Sequence, residues 1–314
     1  MAHTTANTTL LTRQEIWSGE LKEILKDELD AMRHVNWLTG FPDGNTFTIP
    51  SIGTADVDDY QEDEAVVYRP LDTGEFQFSI TEYLSAGTYI TEKAMQDMFY
   101  AEQLMSRFVP EQERALMVRL EGDILKVGPN GQTAADNNQI NGVDHRYVAT
   151  GTSNVMSVTD FAKAKLALKK ANVPDTNLIA IVDPSVEFTM NTQTNLVNIS
   201  NNPMWEGIVS SGIATGMKFM KNIYGFDVYC SNHLKINGTE TLDSVAVSGF
   251  ANNLFFSAAP GVQPFVGAWR QMPKVDSDFD MDFQRTKFVT TARYGLALYR
   301  PENLVVVPSN IAVS

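Results

Sequence analysis

The stretch from Glu102 to Val127, EQLMSRFVPEQERALMVRLEGDILKV, constrains this chain more than any other. Met105, Val109, Leu116, Leu120, Ile124 and Val127 recur at three- and four-residue steps, with Gln112 the one polar gap. Leu104, Phe108 and Ala115 widen the stripe. Apolar spacing of this period predicts a helix that buries one face. Arg119 and Asp123, four apart on the wetter side, can pair weakly. Pro110 lacks a backbone donor and crowds the preceding turn, so it kinks the helix or opens its second half. Gly128 and Pro129 are the expected stop. At about 1.5 Å per residue, such a helix spans roughly 39 Å, enough to cross a whole domain. It is either an ordinary long core helix or the spine of its domain.

The rest of the composition supplies a core for that helix. Hydrophobic residues make up 43% of 314 residues, which fits one large or two modest domains. No apolar run reaches the length that predicts a membrane-spanning helix. The first residues, MAHTTANTTLLTRQE, carry neither a basic nor an apolar signal region, so no secretory leader is expected. The single cysteine, Cys230, rules out an internal disulfide framework and fits a reducing compartment. Lys and Arg number 24 against 38 Asp and Glu, a net charge of −14. A surface of that sign repels phosphates, which argues against a sequence-reading DNA binder.

Ahead of the long helix, residues 1–11 are small and Thr-rich and are expected to be loose. Thr12 to His34 read as an amphipathic helix, with Thr12 as N-cap and Glu15 completing a capping box. Ile16, Trp17, Leu21, Ile24, Leu25, Leu29 and Met32 line one face, which needs either its own domain or a neighbour to lie against. Gly44–Pro50 and Val66–Ile80 alternate like strands. Between them, Asp56, Asp58, Asp59, Glu62, Asp63 and Glu64 place six acids in nine residues with no base among them. The spacing lacks the central Gly and closing Glu of an EF-hand loop. Two readings stay open for this long connection: a solvated acidic hairpin, or one that lies on a neighbouring subunit's basic surface. Tyr89–Tyr100 reads as a short helix capped by Thr91. Gly128–Gly142 is a polar loop without the Lys-Ser/Thr of a phosphate cradle.

A second unit begins near Val158. Thr159–Ala171 is an Ala- and Lys-rich helix ended by Pro174, and Leu178–Val182 is an apolar run of strand length, buried on both faces. Asp183-Pro184-Ser185 turns the chain into a helix over Val186–Met190, capped by Asp183 or Ser185. Tyr224–Cys230 and Ser244–Ser248 read as strands, and Asn252–Ala259 as a further apolar segment. From Pro264 the pattern is strands. Asp276, Asp278, Asp280 and Asp282 alternate with Ser277, Phe279, Met281 and Phe283, so all four acids are expected on one solvated or cation-meeting face. Thr286–Tyr299 and Leu304–Val307 complete the chain.

Catalytic patterns are not in evidence. The sequence has no Gly-x-Ser-x-Gly elbow, His-Glu-x-x-His, phosphate-binding loop or dinucleotide fingerprint. His3, His34, His145 and His233 stand at no metal-ligand spacing. Cys230, at the end of an apolar strand pattern, reads as a small buried residue rather than a nucleophile. Neither an enzyme role nor a cofactor nor a metal is expected.

The order of parts, with ITEKAMQDM, LEGDILKVGPNG, IVDPS and the closing YGLALYRPE, resembles the major capsid proteins of tailed double-stranded DNA bacteriophages. That resemblance covers almost the whole chain and implies an α+β fold of the Hong Kong 97 type. Residues 1–38 would be an N-terminal arm and 39–84 an extended loop with its flanking strands. Residues 85–157, with the spine helix, would form a peripheral domain, 158–263 an axial domain, and 264–314 the return strands of the peripheral domain. The implied function is assembly with copies of itself, as hexamers and pentamers, into an icosahedral shell in the bacterial cytoplasm around DNA bound without sequence specificity. A portal, a separate scaffolding protein and a decoration protein are implied partners, and no membrane. Subunit contacts would involve Trp17, Leu21 and Leu25 on the arm, and Asp58, Asp59, Glu62, Asp63 and Arg69 on the loop. Some shells of this family crosslink when a loop lysine attacks a neighbour's asparagine. Gly44–Glu92 contains no lysine, and Arg69 is its one base, so no such crosslink is expected. An encapsulin-like compartment shell shares the fold; a soluble α/β enzyme or ligand-binding protein is the alternative from another class.

Overall fold

The computed structural model describes residues 31–38, 46–53, 73–97, 101–131, 138–192 and 222–311, and 57–59, 62, 65, 68 and 70. Of the predicted first helix only the end is among these, as a single 3-10 turn at Ala31–His34. Trp17, Leu21, Leu25, Asp63 and Arg69 lie outside the described residues.

In chain order, β1 (Asn36–Leu38) precedes the antiparallel pair β2 (Thr46–Ile52) and β3 (Thr73–Ser79), then β4 (Glu82–Thr91). The short helix α1 (Glu92–Asp97) starts later than its sequence pattern suggests. Tyr89 to Thr91 instead finish β4, paired with Lys287 to Arg285, and strand pairing there overrides local helix preference. Thr91 still caps α1, its Oγ1 accepting from Ala94 N at 3.3 Å. The spine helix α2 (Ala101–Gly131) runs through Pro110 and past the expected stop at Gly128 and Pro129. Gly128 serves close approach: a Cβ there would stand 2.6 Å from Leu304 Cδ2. Pro129 stands in the last turn, where it forgoes the one intrahelical hydrogen bond its N–H would have made.

A small turn, β5 (Gln139–Ile140) and β6 (Val143–Asp144), leads to α3 (Val158–Lys170). Ser157 and Asp160 form a reciprocal capping box at its start. Then come β7 (Leu178–Val182), α4 (Pro184–Thr192), β8 (Asn222–Ile223) and β9 (Phe226–Cys230). Asp183 caps α4, its Oδ2 accepting from Ser185 N at 2.9 Å. The hairpin β10 (Glu240–Leu242) and β11 (Val245–Val247) precedes β12 (Phe250–Ser257), β13 (Phe265–Asp280), β14 (Arg285–Leu298) and β15 (Leu304–Asn310).

Two larger sheets organise these parts: β1-β13-β14-β4, and β15-β12-β7-β9-β8. The second is a wall between two cores. Leu178, Ala180, Val182, Phe255, Val305 and Val307 face α3 and α4. Ile179, Ile181, Leu254, Phe256, Leu304 and Val306 face α2 and the first sheet. Period-two alternation of purely apolar residues in β7 and along Leu304–Val307 does this, because neither face of those strands meets water. β15, the last of the return strands, belongs to this wall, pairing antiparallel with β12.

The first sheet has α2 on one face only. Leu116, Leu120 and Ile124 are buried as expected, whereas Ala115 is exposed. The polar gap has a reason. Gln112 donates Nε2 to Phe288 O at 3.2 Å and accepts from Thr290 Oγ1 at 2.9 Å, so it ties the spine to β14 inside the core. Asp123 pairs with Arg119 at 3.1 Å and also accepts from Tyr294 OH at 2.8 Å.

Candidate assembly surfaces

Three features lie at the margins of the two cores. The first is the hairpin of β2 and β3. Its register runs from Thr46 opposite Ser79 to Ile52 opposite Thr73. Its base is anchored: Phe78 and Ile80 are buried, and Phe76 packs edge-on against Tyr299 at 5.1 Å. Farther out, Asp58, Asp59 and Glu62 are exposed, as are Val57 and Tyr68, each more than nine-tenths. The structure thus places three of the predicted loop acids in solvent and brings none of them onto its own core.

The second is the root of the N-terminal segment. Glu121 on α2 is only 2% exposed and takes Ala31 N on both carboxylate oxygens, at 3.0 and 3.1 Å. A buried carboxylate is costly unless hydrogen-bonded, and this contact anchors Ala31 to the spine helix. β1 then lies parallel to Val266–Ala268, and Trp37 stacks on Trp269 at 5.2 Å.

The third is the hairpin of β13 and β14. Asp276, Asp278 and Asp280 share a face, but Asp282 lies beyond the strand in the turn. The chain itself supplies cations: Lys274 meets Asp276 at 2.8 Å, and Arg285 meets Asp280 at 3.2 Å, with Lys287 also on Asp280. The Lys287 and Arg285 contacts hold the Asp280 carboxyl below its ordinary range. No group of three or more metal-ligating side chains occurs among the described residues. With Asp276 and Asp280 partnered, Met281 and Phe283 at the tip remain exposed.

Among the described residues, no other group of side chains gathers into a reactive constellation. Cys230 is exposed rather than buried, because β9 ends there at the rim of the wall. Its thiol donates to Glu187 Oε2 at 3.1 Å, and a neighbouring carboxylate disfavours the thiolate that a nucleophile requires. Asp160 is fully buried and is consumed by capping Ser157 and by three hydrogen bonds from Thr150. Glu121 is not evident from composition or spacing; its one signal in the sequence is an acid flanked by Leu120, Ile124 and Leu125.

A spine helix, a wall between two cores, and hairpins reaching outward define a subunit of the Hong Kong 97 shell fold. The chain belongs to the phage capsid protein family, whose profile matches residues 74–307. Solved structures agree in fold. The capsid of cyanophage Pam1 superposes with a TM-score of 0.73 at 14% identity, covering 98% of each chain. The capsid of cyanophage P-SCSP1u gives 0.72 at 14% identity over 98% of this chain and 95% of that one. Mycobacterium phage Che8 gives 0.67 at 17% identity, over 94% and 96%. No curated protein sequence matches.

Proposed function

We propose that this protein is a major capsid protein that assembles, as hexamers and pentamers of itself, into the icosahedral shell of a double-stranded DNA phage. The observation that carries the reading is the family match over residues 74–307. The role is structural, with no chemical step. Residues 1–38 act as the arm and 39–84 as the extended loop. Residues 85–157 and the strands after 264 form the peripheral domain, and 158–263 the axial domain, whose wall β15 completes. The arm's Trp17, Leu21 and Leu25 and the loop's Asp58, Asp59, Glu62, Asp63 and Arg69 make subunit contacts. Large apolar side chains contribute roughly 1.5 to 3 kcal/mol each when buried. Assembly takes place in the host cytoplasm with a separate scaffolding protein, a portal fills one vertex, and the acidic shell encloses DNA without gripping it.

Electron microscopy of the purified protein tests this. Shells or capsomers are expected, and removal of residues 1–34 should leave soluble protein that assembles poorly. A protein that stays a compact monomer under all assembly conditions would refute the reading. Shells that fill with protein cargo and never with DNA would favour the encapsulin-like alternative.

A further inference from the structure

Between Lys235 and Asn252 the chain leaves the wall and comes back through a narrow neck. Asn237 N donates to Phe250 O at 2.8 Å, and Gly249 N donates to Asn237 O at 3.0 Å. Asn252, fully buried on β12, closes the neck from inside. Its Nδ2 donates to Lys235 O at 2.7 Å and to Asn237 Oδ1 at 2.6 Å. Beyond the neck lies the hairpin of β10 and β11, turned by Asp243 and Ser244, both at positive φ. A glycine stands at each foot. A Cβ on Gly238 or Gly249 would meet nothing within 4 Å, and Gly249 sits at a φ of +75°.

The hairpin lies on the run from His145 to Ala149. Val148 joins Leu242, Val247 and Phe250 in a small apolar cluster, separate from the two main cores. Two polar contacts border that cluster. Val148 N donates to Asp243 Oδ2 at 3.2 Å, and Arg146 Nη2 donates to Glu240 Oε1 at 2.6 Å. The Arg146 side chain is 1% exposed, whereas that of Glu240 is 20% exposed. Lys235, half-buried at the neck, is a second cation beside them. Burial pushes its ammonium below the ordinary range, Glu240 pulls it back, and the Arg146 charge lowers it further. Two cations thus lean on one carboxylate. A buried guanidinium without its counter-charge is costly, whereas an apolar side chain in its place is not. The cost of losing Glu240 falls on a hairpin whose own apolar anchors are Leu242 and Val247. Units with few buried apolar contacts open before the rest of a fold does.

We infer that residues 238–249 form a flap that Glu240 latches to Arg146, and that the flap opens as one unit while the wall stays folded. It turns about Gly238 and Gly249 and bares Val148 and Arg146. Glu240 is thus a built-in occupant of a cationic site, and the closed flap keeps other carboxylates out of it. The inference goes beyond the shell-forming reading. A chain that enters both hexamers and pentamers gains from it a surface with two shapes.

Amide hydrogen exchange on the full-length protein before assembly tests the latch. Glu240→Gln keeps the shape and removes the charge. It should speed exchange in 240–247 by about tenfold or more and leave β7 and β12 unchanged. Arg146→Met removes the cation that needs an answer, so adding Glu240→Gln to it should change the same rates by less than about twofold. Unchanged rates in Glu240→Gln, an equal rise throughout the wall, or a full tenfold rise in the Arg146→Met background would each overturn the inference. Should a variant fail to fold, the unaltered protein decides. Its amides in 240–247 are expected to exchange together, about tenfold or more faster than those of β7 and β12. Exchange in step with the wall would sink the proposal. These rates are read on the protein before assembly, so failure to form shells would count against the functional reading alone.

Discussion

At the scale of single residues, His145 ties pH to stability. The ring is fully buried, with Nδ1 3.2 Å from Val143 O. Burial pushes its pKa below the ordinary 6.5, against the opposing pull of the Val143 and Glu302 carbonyls and the Asp144 and Glu302 charges. The folded chain therefore stays neutral at this site where the unfolded chain takes up a proton. That makes stability complete above the unfolded pKa and lower as pH falls through it, with no further loss below the folded pKa. Urea unfolding at pH 7.5 and pH 5 should show a smaller fall for His145→Asn than for the unaltered protein. An equal fall in both would remove His145 from the account. Residues of this kind were hidden in the sequence. Gln112 was visible as a gap in an apolar stripe, yet its partners Phe288 and Thr290 lie far along the chain. Cys230 was misjudged because strand alternation does not say where a sheet ends.

At the scale of elements, most of the pattern was legible. The apolar run Leu178–Val182 became the centre of the wall, and Thr91 capped its helix, because both signals are local. Contrary to expectation, α2 continued past Gly128, for a glycine that ends a helix and one that admits a neighbour look the same in sequence. The distinction is measurable. Gly128→Ala raises helix propensity by about 1 kcal/mol in isolation. Here the new methyl meets Leu304 at 2.6 Å and Phe265 at 3.5 Å in a closed core. Overpacking of this kind costs about 1 to 3 kcal/mol, so the net effect should be a loss of stability in denaturant unfolding. A gain would mean that Leu304 swings aside freely.

At the scale of the whole molecule, the outward hairpin has a chemical limit. Its span Gly44–Glu92 has no lysine, and Lys93 belongs to α1. A mature shell should therefore fall apart in boiling detergent to a single band near 34.8 kDa. A ladder of linked copies of this chain would show another nucleophile at work. The wall between the two cores has its own consequence. It is a party wall: each strand of β7, β12 and β15 furnishes a room on either side. Neither room can be redecorated alone, since trimming Ile181 loosens the strand that holds Val182, and a tremor on one side is felt on the other. Calorimetry should register one endotherm for both halves, because the two cores share their masonry.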